Sequence, residues 1–278
     1  MNSQELKFIG LNYSESNFSF DETYKTIKTT LENNPKIGIV AEIDHAANAQ
    51  KAGLNLPKTK LILFGNPNLG TPLMKANMAT GLDLPQKIVV FEKGAKVIVA
   101  YNDAGYLTNR HELNDIPTIP IIAKALETIV SKATGNTVHK ATIFSTANEG
   151  IVNLKSGNTF DATINILKNT IANNENLKIL AELDHQKNAT KIGSELPKST
   201  LLVFGNPKIG SPLMQAQNTI AIDLPQKILV WEDENSTVHI SYNNPDYLLE
   251  RHGITDKKAL SDKINNVLSS LAIKTSLK

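Results

Sequence analysis

One stretch of this chain is written twice, and that repeat constrains the architecture more than any compositional average. AEIDH at 41–45 returns as AELDH at 181–185, FGNPNLGTPLM at 64–74 as FGNPKIGSPLM at 204–214, and DLPQKI at 83–88 unchanged at 223–228. The offset is 140 residues without a gap until one extra residue enters after Glu232, so that Tyr101-Asn102 pairs with Tyr242-Asn243 at an offset of 141. A period this long is not the roughly 20–50-residue repeat of a solenoid. Each copy has the length of an ordinary domain and can bury its own core. The 278-residue chain therefore reads as two similar domains, 1–136 and 146–278, joined by a linker at 137–145.

Composition removes several classes of function. The apolar fraction of 41% and charged fraction of 20% are those of a soluble globular protein. The formal charge is +2, and no basic stripe with interleaved aromatics marks a nucleic-acid surface. No apolar run is long enough to span a bilayer, and the N-terminus MNSQELKFIG lacks the regions of a signal peptide, so a cytoplasmic location is expected. With zero cysteines, disulfides, thiolate nucleophiles and Cys-based zinc sites are excluded.

The basic residues carry a sharper signal. Of 29, only Arg110 and Arg251 are arginine, and they occupy equivalent positions. A chain that otherwise uses lysine keeps arginine where a rigid bidentate fork matters. Four of the six histidines also fall into equivalent pairs, His45 with His185 and His111 with His252; His139 and His239 have no counterpart.

Periodicity predicts, in the first copy, a weak strand over 7–13 and a helix over 22–33 ended by Asn34-Pro35. A strand over 37–43 follows, then a short helix capped by Asp44 and closed by Gly53. A strand over 60–64 leads to a helix over 72–80, capped by Thr71 with Pro72 in its first position. Strands over 86–92 and 96–102 form a hairpin through Lys93-Gly94, residues 106–112 make a helix or turn, and 117–133 is a closing amphipathic helix. The linker is expected to hold an extra strand over 138–144. This order suggests a mainly antiparallel sheet covered by helices, an α+β sandwich.

The motifs separate into architecture and candidate chemistry. GNPNLGT at 65–71 has phosphate-loop glycine spacing but no phosphate-binding lysine, and Pro67 removes an amide, so it reads as a shaped turn feeding a capped helix. No nucleotide or haem fingerprint is present. Asp44-His45 and Asp184-His185 place a histidine in a first helical turn, where the helix dipole favours the neutral imidazole able to bind a metal or exchange a proton; the alternative is a hydrogen-bonded histidine that braces the strand-to-helix corner. Arg110-His111 and Arg251-His252 either line a pocket for a carboxylate or phosphate, or form an internal salt bridge to Glu42, Asp44 or Asp83. Asp83-Leu84-Pro85 reads as a turn before a strand. Glu42, Asn66, Tyr101 and Asn102, with Glu182, Asn206, Tyr242 and Asn243, are candidate supports.

Taken together, A-E-[IL]-D-H, F-G-N-P-x-x-G-[TS]-P-L-M, D-L-P-Q-K and Y-N…Y-L…R-H give each copy a resemblance to the Domain of Unknown Function 302 family. That resemblance implies a β-α-β(4)-α domain with a TATA-binding-protein-like arrangement, here in two similar two-layer copies. It also implies an intrachain pseudo-dimer, because single-copy members are expected to pair; further assembly stays open. It names no activity.

Three functions remain. The first is a binding module with two equivalent pockets, at Asp44, His45, Arg110, His111 and at Asp184, His185, Arg251, His252, for a small anion or divalent metal. Its candidate metal ligands are His45, His111, His185 and His252. The second is a structural or partner-binding pseudo-dimer without a ligand. The third is an enzyme using His/Asp acid-base chemistry.

Overall fold

The computed structural model describes residues 8–277. Lys7, where the first expected strand begins, and the segment read for a leader lie outside them, apart from Phe8 to Gly10. The first half runs β1 (Leu11–Glu15), α1 (Phe20–Glu32), β2 (Gly38–Asp44), α2 (His45–Lys51), β3 (Thr59–Gly65), α3 (Pro67–Ala76), a 3-10 turn (Met78–Leu82), β4 (Gln86–Lys93), β5 (Lys96–Asn102), α4 (Ala104–His111) and α5 (Thr118–Thr134). The second half repeats it as β6 (Ile151–Lys155), α6 (Phe160–Ala172), β7 (Lys178–Asp184), α7 (His185–Lys191), β8 (Ser199–Gly205), α8 (Pro207–Ala216), a 3-10 turn (Asn218–Ile222), β9 (Gln226–Glu232), β10 (Val238–Asn243), α9 (Pro245–Arg251) and α10 (Lys258–Ser276). The expected α+β order, β-α-β(4)-α in each copy, is present in both.

Each half forms one five-stranded sheet, ordered β1-β5-β4-β3-β2 and β6-β10-β9-β8-β7, with every pairing antiparallel. The capping box of Ser19 and Glu22 starts α1, and Phe20, Tyr24, Ile27 and Leu31 recur at helical spacing on its buried side. Helices α1 and α5 cover one sheet face, and the second half's 3-10 turn, Asn218–Ile222, packs on the other across β3, β4 and β5. Reciprocally, Met78–Leu82 packs on β8, β9 and β10. Strands covered on both faces need side chains buried at consecutive positions. Lys87, Ile88, Val89 and Val90 along β4 meet that requirement.

Several boundaries differ from expectation. Helix α3 starts at Pro67, not Pro72, because Asn66 caps it by accepting from Asn68 N at 3.0 Å. Pro72 then lies inside the helix, at the cost of one backbone bond. The helix stops at Ala76 because Asn77 is extended and caps the 3-10 turn, accepting from Ala79 N at 3.0 Å. The hairpin turns at Gly94-Ala95 rather than Lys93-Gly94. No strand forms over 138–144; the linker makes one bridge, Tyr13 with His139, and runs beside β1, where Gly10 N donates to Ile143 O at 2.7 Å.

Two glycines are required where each sheet meets its neighbour. Gly10 and Gly150 have φ of +67° and +66°, and a Cβ there would lie 2.5 Å from Tyr106 Cδ2 and 2.1 Å from Tyr247 Cγ. Gly53, at φ +77°, has open space instead. Gly150→Ala should therefore destabilise by about 2–4 kcal/mol, and Gly53→Ala by about 1 kcal/mol, the backbone cost alone, in urea unfolding. Equal losses would show that the tyrosine contact is not felt.

Candidate functional site

The repeated polar residues divide between two places. The first is a junction buried between the halves. Asp103 caps α4, accepting from Gly105 N at 2.7 Å, and this helix buries Tyr106 and Arg110, one turn apart, and the adjacent His111. Asp83 follows the first 3-10 turn. Its Oδ2 accepts from Arg110 Nη1 at 2.6 Å and from His111 Nε2 at 2.8 Å. Arg110 also crosses to the other half, donating from Nη2 to Asn243 Oδ1 at 2.7 Å and from Nε to Glu149 O at 2.9 Å. The second half reciprocates: Arg251 donates to Asp223 at 2.5 Å, to Asn102 Oδ1 at 2.7 Å and to Ile9 O at 3.0 Å, and His252 Nε2 meets Asp223 at 2.9 Å. Because Nε2–H faces a carboxylate, Nδ1 of His252 accepts from Thr219 Oγ1 at 3.0 Å.

Aromatic rings and two lysines complete the junction. The Tyr106 ring lies 4.0 Å from Arg251 Cζ and 5.5 Å from Arg110 Cζ, and Tyr247 lies 4.9 Å from Arg110 Cζ. Lys87 and Lys227 are both buried. Burial alone would raise the Asp83 carboxyl, but the Arg110 guanidinium, with His111 and Lys87, holds it well below the usual carboxylate range. Burial lowers both lysines, and the charge of Lys87 helps bring Lys227 to about 7.

The second place is a cavity of about 400 Å³ where α2 of the first half meets β7, α8 and α10 of the second. Its walls are mostly apolar, with Ile43, Phe204 and Met214 inside and the half-exposed Leu180 and Val267 also lining it. His45 lines it with its Nε2 buried, as does Ser211, whose buried Oγ has no hydrogen-bond partner. The backbone of Ala221 and Leu224 borders the imidazole, but burial outweighs that support and lowers its pKa to about 4. His185, beside Gly81 of the first half, is likewise lowered to about 4. Lys178 and Lys263 line the same cavity, and no acidic residue does.

The expected constellation is therefore divided. Arg110 and His111 converge on Asp83, the internal partner named among three alternatives, while His45 meets the turn of the opposite half. Asp44 and Asp184 cap their helices through Ala47 N and Lys187 N, each at 2.8 Å. Asp44 borders a separate, more polar depression with Lys58 and Lys60. Glu42 accepts from Tyr24 and Lys28 at 2.8 and 2.7 Å, and Glu182 from Lys168 at 2.6 Å. Asn66 and Asn206 are caps, Asn102 and Asn243 hold the opposite arginines, and Tyr101 and Tyr242 are buried. Among the described residues no three His, Cys, Asp or Glu side chains come together as a group able to hold a metal ion. Sequence reasoning did not place Lys87, Lys227, Tyr106, Tyr247 or Ser211 in the site; DLPQK, identical in both copies, was the available signal for the lysines.

Comparison with known proteins agrees with the duplicated architecture. The pattern of a family described as "Domain of unknown function DUF302" matches residues 13–133 and again 152–271. Over 105 residues the chain is 40% identical to "Fluoride-specific ion channel FluC 1" of Brucella suis biovar 1 (strain 1330), and to the protein of that name from Brucella abortus biovar 1 (strain 9-941). The match covers 37% of this chain and 41% and 38% of those relatives, so the chain spans about two fifths of their length. Among the described residues, no helix is long and apolar enough to cross a membrane. A crystal structure of an uncharacterized conserved DUF302 protein from Bacillus stearothermophilus aligns with TM-score 0.42 and 16% identity, covering 46% of this chain and 98% of that one.

The junction implies that Arg110→Lys is not conservative. A lysine cannot reach Asp83, Asn243 and Glu149 O together, so loss of about 3–5 kcal/mol is expected in denaturant unfolding. The buried histidines imply an acid limb. Their folded pKa of about 4 lies below the ordinary 6.5, so the unfolded chain takes up protons first. Their stabilising contribution is complete above pH 6.5 and is lost as pH falls towards 4. A pH series of melting temperatures should show this slope, and a His45→Gln, His185→Gln variant should flatten it.

Proposed function

This chain belongs to the DUF302 family, whose domain it carries twice, and we propose that it binds a small amphipathic organic anion between its halves. The observation that carries this reading is a mostly apolar cavity lined by His45, by Ser211, whose buried Oγ has no partner, and by Lys178 and Lys263, with no acidic side chain on its walls. Buried polar groups in native proteins ordinarily have partners, and apolar cavities with a few convergent polar groups are the usual form of ligand sites. A carboxylate accepts hydrogen bonds from both a neutral imidazole N–H and a serine hydroxyl. Lys178 and Lys263 favour a negative charge, and Leu180 and Val267 extend apolar surface for a hydrocarbon tail.

In this reading the Arg110/His111 and Arg251/His252 pairs do not touch the ligand. They hold the two halves in the register that builds the cavity. The equivalent residue of the second half, His185, is buried beside the Gly81 backbone, and the Gln86 amide nitrogen is buried without a partner.

Isothermal titration with octanoate, octanol and octylamine tests the proposal. Octanoate should bind at least tenfold more tightly than the other two, a difference of about 1.4 kcal/mol. Leu180→Glu should remove most of the octanoate affinity, and Ser211→Ala should reduce it, with melting temperature little changed. Equal affinity for all three probes, or octanoate binding insensitive to both variants, would refute the assignment.

A further inference from the structure

The junction is symmetric in sequence but not in its hydrogen bonding. Lys227 Nζ donates to the carbonyl oxygen of Asp223 at 2.9 Å. Its equivalent, Lys87, does not make the matching bond. Its Nζ is buried and unpartnered, 3.9 Å from Asp83 Oδ1 and 4.0 Å from Asp223 Oδ1. Both of those carboxylate oxygens are also buried and unpartnered, because the arginine and histidine bonds go to the Oδ2 atoms. Lys87 thus faces one carboxylate from each half, both at distances too long for direct hydrogen bonds.

We propose that the junction encloses one ordered water molecule, accepting from Lys87 Nζ and donating to Asp83 Oδ1 and Asp223 Oδ1. The match is one of donor inventory: a water has two hydrogens for two carboxylate oxygens and lone pairs for an ammonium. Polar contacts beyond direct reach are commonly bridged this way, and interior waters typically make about three bonds. An anion fits poorly, because the same two carboxylate oxygens would face it. A divalent cation fits poorly as well, because the lysine and the two flanking guanidiniums of Arg110 and Arg251 would repel it.

The water makes the two lysines unequal. Lys87 becomes the link through which one half's lysine neutralises carboxylates of both, while Lys227 only serves a local carbonyl. Their removal should therefore have different effects although they occupy the same place in the repeat.

The test is a high-resolution crystal structure of the full chain, with melting curves of Lys87→Met and Lys227→Met. The expected result is solvent density within about 3.2 Å of all three atoms. Lys87→Met should lower the melting temperature by roughly 4–10 °C, as expected when buried carboxylates lose a partner, whereas Lys227→Met should change it by less than roughly 2 °C or raise it. The proposal is overturned by direct contact of Lys87 with either carboxylate, by density for a heavier ion, or by equal shifts in the two variants. If Lys87→Met does not fold, the density in the wild-type crystal alone supports or overturns the bridging water.

Discussion

Everything between the two halves depends on a crossed exchange: each arginine pairs with an aspartate of its own half and an asparagine of the other. The Coulomb attraction alone is a weak explanation for stability, since burying these charges costs much of what their pairing returns. The geometry is more informative. A guanidinium fork with donors committed to Asp83, Asn243 and Glu149 O fixes distance and angle between two sheets. An apolar contact of the same area would tolerate sliding. The crossed bonds set the register in which each 3-10 turn meets the opposite sheet.

The sequence made the fold readable where one local rule sufficed. The helical run closed by Asn34-Pro35 announces α1 without help from tertiary structure, although the helix begins at Phe20, two residues before the expected start, where Ser19 and Glu22 form a capping box. At FGNPxxG[TS]P two prolines each offer a plausible first helical position, and tertiary packing retained the earlier start with Asn66 as cap. The linker was expected to hold a strand over 138–144, yet it runs against β1 and forms a single bridge there.

The site was readable only in part, for a topological reason. The arginine pair was recognisable because lysine serves everywhere else, and Asp83 was among its expected partners. Which half supplies a partner leaves no trace in a repeat, because both halves carry the same candidates. His45 was grouped with Arg110 of its own copy, but its neighbours are Ala221 and Leu224 of the other. Lys87 and Lys227 escaped notice because lysine is rarely buried, and Asp-Leu-Pro had an adequate local reading as a turn. The segment around Asp223 in fact serves two places at once, its carboxylate in the junction and its flanking backbone beside the His45 cavity.

The linker beside β1 has one more consequence. By bonding to the first sheet through His139 and Ile143, it leaves little slack before β6 begins at Ile151. The second half is therefore leashed close to its docking face, and separation of the halves is an event within one molecule. Re-docking competes at the high effective concentration of a short tether, so dilution should not open the junction as it would open a pair of separate chains. Joining two copies end to end turns assembly from a question of how much protein is present into a property of each chain.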